Sequence, residues 1–425
     1  IDKNLTKVSN SIIKRCPKGT RKNIKTGLCE TIKKKSILPN VDELKIIASS
    51  TPPTIQKIGT NIQKSLNDKS KLKSIISYSP SINKNLVTQK SIERTSGLLK
   101  GCNYKANDSV PIINIGKNGK VDCKKATLLI SRKLLLDDLS SNKLTPFNSI
   151  YAPRQFESNC WFNTMFMCFF ISDKGRKFFK FWRELMIKGI QINGTKVPTK
   201  LWYALLHLNL YISSVLSGSI ESDWLNTNEI ISKVYLSIPS NKRTREIVNR
   251  GKAHNPLSEY FGIMNYLGNN SLPYKYIDVG TLKYPDLAAI ELHTLPKNVE
   301  IIIIQIHNRG NFQGNIAPGP GDSGKKSNNW MKKEIITLND GRKYKLDSAI
   351  LRDTQNRHFC CVMHYDKIQC GFDGVSYRRL SEFNWVQYIN KSYDWTFEGS
   401  NWENSNKSII WNFKNGYQIL FYYRI

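Results

Sequence analysis

The chain has no Cys-x-x-Cys pair, although it carries nine cysteines, and its six histidines are scattered. Zinc ribbons and structural zinc pairs need closely spaced thiolates, so neither metal nor cofactor is expected. It also lacks any apolar run of about 18 residues, the length a membrane-crossing helix requires, so no membrane span is expected. The N-terminus, Ile1-Asp-Lys-Asn, is polar and has no apolar h-region. No signal peptide is expected there, and the missing Met points to a trimmed or incomplete start. Acidic residues are scarce: 33 Asp and Glu stand against 64 Lys and Arg, for a net charge of +31. The excess is uneven, because residues 1–150 hold 29 Lys and Arg against 10 Asp and Glu. A basic segment of this kind meets nucleic acid, an anionic membrane face or an acidic protein, or else is a solvated tail. Its lysines lack interleaved aromatics, which weakens the nucleic-acid reading.

What is present suffices for a core: 40% of the 425 residues are hydrophobic, enough for one large domain or two ordinary ones. Residues 1–145 read as an extended, basic, Lys/Asn/Ser-rich arm with Cys-bracketed loops, short helices near 41–49 and 57–67, and a helix over 125–139. Cys16 and Cys29 bracket a short polar loop, and Cys102 and Cys123 a turn-rich stretch. Either pair can close a disulfide, and either can stay reduced. A short polar loop cannot bury a core of its own, which favours a covalent staple at Cys16 and Cys29.

Residues 146–425 read as the second domain. Apolar periodicity predicts helices over 160–171, 174–188, 200–216, 225–234 and 257–267. β-branched and aromatic runs then predict strands over 299–307, 343–351, 358–364, 368–372, 408–413 and 417–423, with a tight turn at Asp366-Lys367. Helices first and strands later define an α+β class.

The chemistry concentrates at Gln155-Phe-Glu-Ser-Asn-Cys160-Trp-Phe-Asn, followed far downstream by Arg357-His358-Phe and Phe372-Asp373. A cysteine opening an apolar helix, a histidine entering a strand and an aspartate one strand later are the parts of a thiol protease. A helix N-terminus and a nearby imidazolium both activate a thiol. An aspartate fixes the imidazole tautomer and stabilises its charge. The side chain of Gln155 and the backbone N–H of Cys160 are candidate oxyanion donors. Each residue also has a plain structural reading: Cys160 in the core, His358 satisfied within a strand, Asp373 in a turn before Gly374, Gln155 as a loop amide. Cys168, Cys360, Cys361 and Cys370 read as core.

These residues resemble the ubiquitin-specific protease family of papain-like cysteine proteases. Gln155, Cys160, Trp161 and Asn163 are similar to its cysteine box. Leu295-Pro296 before Ile301–Ile306, Tyr344–Ile350 before His358-Phe-Cys-Cys-Val362, Phe372-Asp373, and Tyr417-Gln-Ile-Leu-Phe-Tyr422 follow its later motifs in order. Ser258-Glu-Tyr-Phe261 resembles its helix beside the substrate tail. The resemblance covers roughly residues 148–425 and implies a papain-like fold, helical part first and antiparallel sheet second, without zinc fingers. About 25 residues between the helix near 267 and Leu295 are too few for such an extension.

The resemblance further implies cleavage after the Gly-Gly tail of ubiquitin or a ubiquitin-like protein. Cys160, His358, Asp373 and Gln155 would be catalytic, and Asn159, Trp161, Glu259, Tyr260, Arg357 and Phe372 would contact substrate. Three departures stand out. Gln155 replaces the family's asparagine, and Arg357 replaces a glycine where the tail would thread. Asn255-Pro256-Leu257 lacks the acidic residue that helps hold the basic end of ubiquitin's tail. The basic Cys16–Cys29 motif is similar to motifs of nucleocytoplasmic large DNA viruses. That implies a viral protein in host cytoplasm and virion. The alternative function is then a minor capsid protein that reuses the fold, its arm bound to capsid proteins or nucleic acid.

Overall fold

The computed structural model describes residues 20–22 and 29–31 and most of the chain from 97 to 425, with 279–291 and 307–331 the longest stretches outside it. The helices expected at 41–49 and 57–67, and Cys16, lie outside the described residues. The chain divides into two units, Ile1–Thr51 and Pro52–Ile425. In the first, β1 (Thr20–Lys22) and β2 (Cys29–Thr31) pair antiparallel.

The second unit is organised by strand β6 (Ile301–Ile306), whose six residues are all buried. A strand alternates its side chains between faces. Ile301 and Ile303 accordingly enter one hydrophobic core, and Ile302, Ile304 and Ile306 another. Strand β12 (Gln418–Arg424) repeats the pattern, with Ile419, Phe421 and Tyr423 on the first side and Leu420 and Tyr422 on the second. A sheet covered on both faces has continuous apolar strands, which is why these segments read as unbroken hydrophobic runs.

Around this pair lie β5 (Tyr274–Asp278), β7 (Ile335–Thr337), β8 (Lys343–Arg352), β9 (Phe359–Tyr365), β10 (Ile368–Phe372) and β11 (Leu380–Glu382). The order is β11-β10-β9-β8-β12-β6-β5, with β7 added to β8. Asp366 and Lys367 adopt φ values of 49° and 66°, the left-handed pair that a two-residue hairpin between β9 and β10 needs. The sheet departs from the expected antiparallel arrangement at one edge, where β5 runs parallel to β6. The strand expected over 408–413 is also corrected. Its apolar residues Ile409, Trp411 and Phe413 are buried among aromatics, and the segment makes only isolated bridges, Trp395 to Trp411 and Asn401 to Ser408.

Seven helices are described: α1 (Leu129–Ser140), α2 (Cys160–Phe170), α3 (Gly175–Phe178), α4 (Lys180–Lys188), α5 (Thr199–Ser217), α6 (Thr227–Ser237) and α7 (Pro256–Leu267). Every residue of α2 is buried, the signature of a helix enclosed on all sides. Its Phe169 stacks on Phe179 with ring centroids 4.1 Å apart and meets Phe421 of β12 edge-on. The helix expected over 125–139 begins only at Leu129. Residues Cys123–Lys125 instead form strand β4, paired with β3 (Ile112–Asn114). This region, which composition joins to the basic arm, is folded: Leu98, Ile113, Ala126, Leu135 and Leu139 share a core with Ile187 of α4 and Leu206 and Leu210 of α5. A Cys102–Cys123 disulfide, Cα–Cα 5.4 Å, closes it.

Candidate active site

Cys160 is the first residue of α2, where backbone N–H groups have no intrahelical acceptor. The loop that delivers it is pinned by buried polar residues. Asn159 Nδ2 donates to Thr227 Oγ1 (2.9 Å), Thr227 Oγ1 donates to Asn163 Oδ1 (2.5 Å), and Asn163 Nδ2 donates to the Arg154 carbonyl (3.1 Å). The Phe156 N–H donates to Asn159 Oδ1 (3.1 Å), and Asn228 Nδ2 donates to the Phe156 carbonyl (2.6 Å). Thr227 and Asn228 open α6, so the start of one helix locks the approach to another.

His358 stands at the turn from β8 into β9, and the turn is shaped by one carboxylate. Asp353, fully buried, accepts from the backbone N–H groups of Gln355 (2.8 Å), Arg357 (2.6 Å) and His358 (2.5 Å). A carboxylate with three such donors is satisfied without any cation nearby. Asp373 follows β10. Its Oδ1 lies 2.6 Å from His358 Nε2, and its Oδ2 accepts from the buried hydroxyl of Ser400. Nε2 is thus engaged by Asp373, and Cys160 lies close enough to influence the imidazole and lines the same cleft as His358. Burial by itself drives that imidazole toward the neutral form. The charge and hydrogen bond of Asp373, with the contact to Cys160, outweigh burial and push His358 up to about 10. Residues from distant parts of the sequence are therefore gathered here: His358 and Asp373 are hydrogen-bonded, and Cys160 lies beside the imidazole.

The triad opens on a cleft of about 1140 Å³. Its walls are the loop from Arg154 to Trp161, residues 253–255 ahead of α7, the β8–β9 turn, residues 374–376, and Trp402, Ile409 and Tyr417. Trp161 fixes one wall by donating its indole N–H to the Lys252 carbonyl (3.0 Å). The wall beside Asp373 meets the loop before Cys160 through a Gln155 N–H to Gly374 carbonyl bond of 3.0 Å. A Cβ at position 374 would lie 3.0 Å from the Gln155 nitrogen, so glycine permits this approach.

The remaining expected site residues divide. Trp161 and Arg357 line the cleft, as does Gln155. The Gln155 amide, however, donates to the Glu157 carbonyl (3.1 Å), a turn in which Glu157 takes a φ of 54°. It is thus committed locally. Asn159, Glu259, Tyr260 and Phe372 are buried and line none of the cleft. Asn159 serves the loop network, Tyr260 donates its hydroxyl to the Phe162 carbonyl (3.2 Å), and Phe372 packs in the core. Glu259 has both carboxyl oxygens buried without a hydrogen-bond partner, and burial pushes it well above the usual carboxylate range. Cys29 is described only as a strand residue, and its expected partner Cys16 is not described. Asp353, Ser400, Thr227 and Asn228 were not anticipated; each is a lone polar residue whose partner is non-local or a turn amide. Among the described residues no cluster of three His, Cys, Asp or Glu side chains forms a metal site, and no helix is long and apolar enough to cross a membrane.

No family model matches the chain, and no curated protein matches it. Among solved structures it is similar to the SAGA Ubp8/Sgf11/Sus1/Sgf73 DUB module, at 8% identity and a TM-score of 0.38 over 92% of this chain and 99% of that one. It is also similar to a Ubp8 variant of that module bound to monoubiquitin, at 8% identity and a TM-score of 0.39 over 90% and 99%. The module bound to ubiquitin aldehyde gives 10% identity and a TM-score of 0.36 over 90% and 98%. Likenesses of this size do not by themselves establish a family.

Proposed function

We propose that the chain is a thiol peptidase or isopeptidase with a fold of the ubiquitin-specific protease type, cleaving after the Gly-Gly tail of ubiquitin or a ubiquitin-like protein. The observation that supports this reading is the buried, hydrogen-bonded His358–Asp373 pair with Cys160 beside the imidazole, at a cleft that Cys160 and His358 both line. His358 holds its proton at neutral pH, so Cys160 Sγ, its own proton already given up to the imidazole, attacks the carbonyl carbon as the thiolate paired with Nδ1–H. Nδ1–H then protonates the leaving amine as its C–N bond breaks, which leaves a thioester. Water, losing a proton to Nδ1, attacks the thioester and frees the carboxylate and the thiol. Asp373, itself oriented by Ser400, holds the imidazole and stabilises its charge throughout. The Cys160 N–H is the first oxyanion donor, and Gln155 becomes the second on releasing the Glu157 carbonyl.

Turnover of fluorogenic C-terminal conjugates of ubiquitin and of ubiquitin-like proteins tests this, with loss of all activity expected in Cys160→Ala. Absence of turnover, together with no labelling of Cys160 by an electrophilic ubiquitin or ubiquitin-like probe, would refute it. One observation favours the alternative of a virion protein that reuses the fold: the Gln155 amide is already committed to Glu157. The net charge of +31 suits an arm bound to capsid proteins or nucleic acid. Stoichiometric recovery from particles, with assembly unchanged in Cys160→Ala, supports that alternative; absence from particles removes it.

A further inference from the structure

The charge of the cleft narrows what can thread it, given the peptidase reading above. Arg154 lies on the wall that delivers Cys160, while Arg352 and Arg357 lie on the wall that delivers His358. Arg352 faces Phe359 across the β8–β9 pair and holds its guanidinium 5.6 Å over that ring, and Arg357 immediately precedes His358 and is exposed. The Nε of Arg352 is buried and has no acceptor.

Against these three cations, Glu157 is the one carboxylate among the described lining residues. Among the other described acids nearby, three do not offer a free carboxylate to the cleft. Asp353 is saturated by backbone N–H groups, and Asp373 is held by His358 and Ser400. Glu259 is buried away from the cleft. A cationic side chain entering here meets like charge on both walls and has little carboxylate to receive it. A carboxylate entering meets planar forks that bind it through paired N–H groups, in a cleft bounded by Trp161 and Trp402 that limits screening by water.

We propose that the cleft selects an extended tail carrying Asp or Glu within a few residues of the scissile bond, in preference to a tail carrying Arg or Lys there. Arg154, Arg352 and Arg357 are the residues that set this preference.

Two labelled peptides ending in Gly-Gly, identical except for two upstream positions that are both Glu or both Arg, separate this inference from the peptidase reading. Binding to Cys160→Ala is followed by fluorescence anisotropy, and turnover of the matching fluorogenic amides by the unaltered protein. The acidic peptide is expected to bind about tenfold more tightly at low salt, with the ratio shrinking as salt screens the pairs. Arg154→Glu combined with Arg357→Glu, both exposed positions, is expected to erase or invert the ratio. Arg352→Gln, which keeps much of the stem on Phe359, should lower it about threefold. Equal binding, preference for the basic peptide, or a ratio untouched by the charge reversals overturns the inference, even if both amides are cleaved. Acidic preference in binding with no cleavage of either amide leaves it standing and removes the peptidase reading instead.

Discussion

Replacing Asp373 by Asn removes one charge from the buried triad while keeping the side chain's shape. His358 is 3% exposed and Asp373 fully buried, so solvent screens their interaction little. The imidazole stands at about 10 in the folded protein against an ordinary 6.5, even though burial opposes its charge. Each unit of such a shift corresponds to about 1.4 kcal/mol, so His358 protonation stabilises the fold by several kcal/mol at most. Because the folded-state value is raised, that contribution is complete below pH 6.5 and is lost as pH climbs toward 10. In Asp373→Asn burial dominates, the imidazole becomes neutral in the folded state, and this contribution vanishes.

The assay is urea unfolding of both proteins from pH 6 to 10. Groups that titrate in both cancel in the difference, including Lys177, which burial brings down to about 7. The difference in stability should be largest near pH 6.5 and should shrink steadily toward pH 10. Nitrogen NMR of labelled histidine gives the direct check, with His358 protonated at pH 8 only when Asp373 is present. Turnover in Asp373→Asn should fall about 10⁴-fold, as when a triad carboxylate is lost elsewhere. A pH-independent difference, or a neutral His358 at pH 8 in the unaltered protein, would refute the claim that Asp373 and Cys160 together outweigh burial.

Other perturbations have equally definite outcomes. Thr227→Val leaves Asn159 Nδ2 and Asn163 Oδ1 without their shared partner, which should cost roughly 2–5 kcal/mol in urea unfolding and slow turnover. An unchanged turnover would show that the α6 start does not position Cys160. Glu259→Gln should stabilise the protein at neutral pH. The raised carboxyl makes stability fall by up to about 1.4 kcal/mol per unit as pH rises above 4.5, and the amide does not titrate. Unfolding at pH 5 and pH 8 checks the slope, and a variant equally sensitive to pH would exclude Glu259 as its source. Replacing Cys102 and Cys123 by Ser opens a bridge of sequence separation 21, with an expected loss of about 3 kcal/mol for the hairpin region. Hydrogen exchange over residues 97–140 localises that loss, and unaltered protection there would contradict it.

That Cys160, His358 and Asp373 would come together was legible in the sequence because the proposed chemistry restricts residue types. A cysteine at a helix start, a histidine entering an apolar strand and an aspartate after the next strand leave few other assignments once they occur in order. The strands that hold them were legible because burial on both faces writes long apolar runs, as in Ile301–Ile306 and Phe359–Tyr365. Edge strand β5 was not legible: it is short, and only Ile277 is fully buried. The segment 408–413 was misread for the reverse reason. Its alternation of Ile409, Trp411 and Phe413 is real, but it packs those side chains into an aromatic cluster rather than into a ladder.

The site's support was invisible because it depends on pairs, not on types. Asp353 gains meaning only when the β8–β9 turn aims three N–H groups at it, and Ser400 only when it reaches Asp373 from 27 residues away. The same logic explains why four of the residues assigned to substrate contact are buried elsewhere. Asn159, Glu259, Tyr260 and Phe372 are adjacent in sequence to the cleft's residues or motifs, but the cleft is lined by the segments just before α7 and just after β10 and by the first two residues of α2, while these four are buried. Trp161 and Arg357 fall on the open side, and the arginines that accompany them give the cleft a charge that the motif alone does not specify.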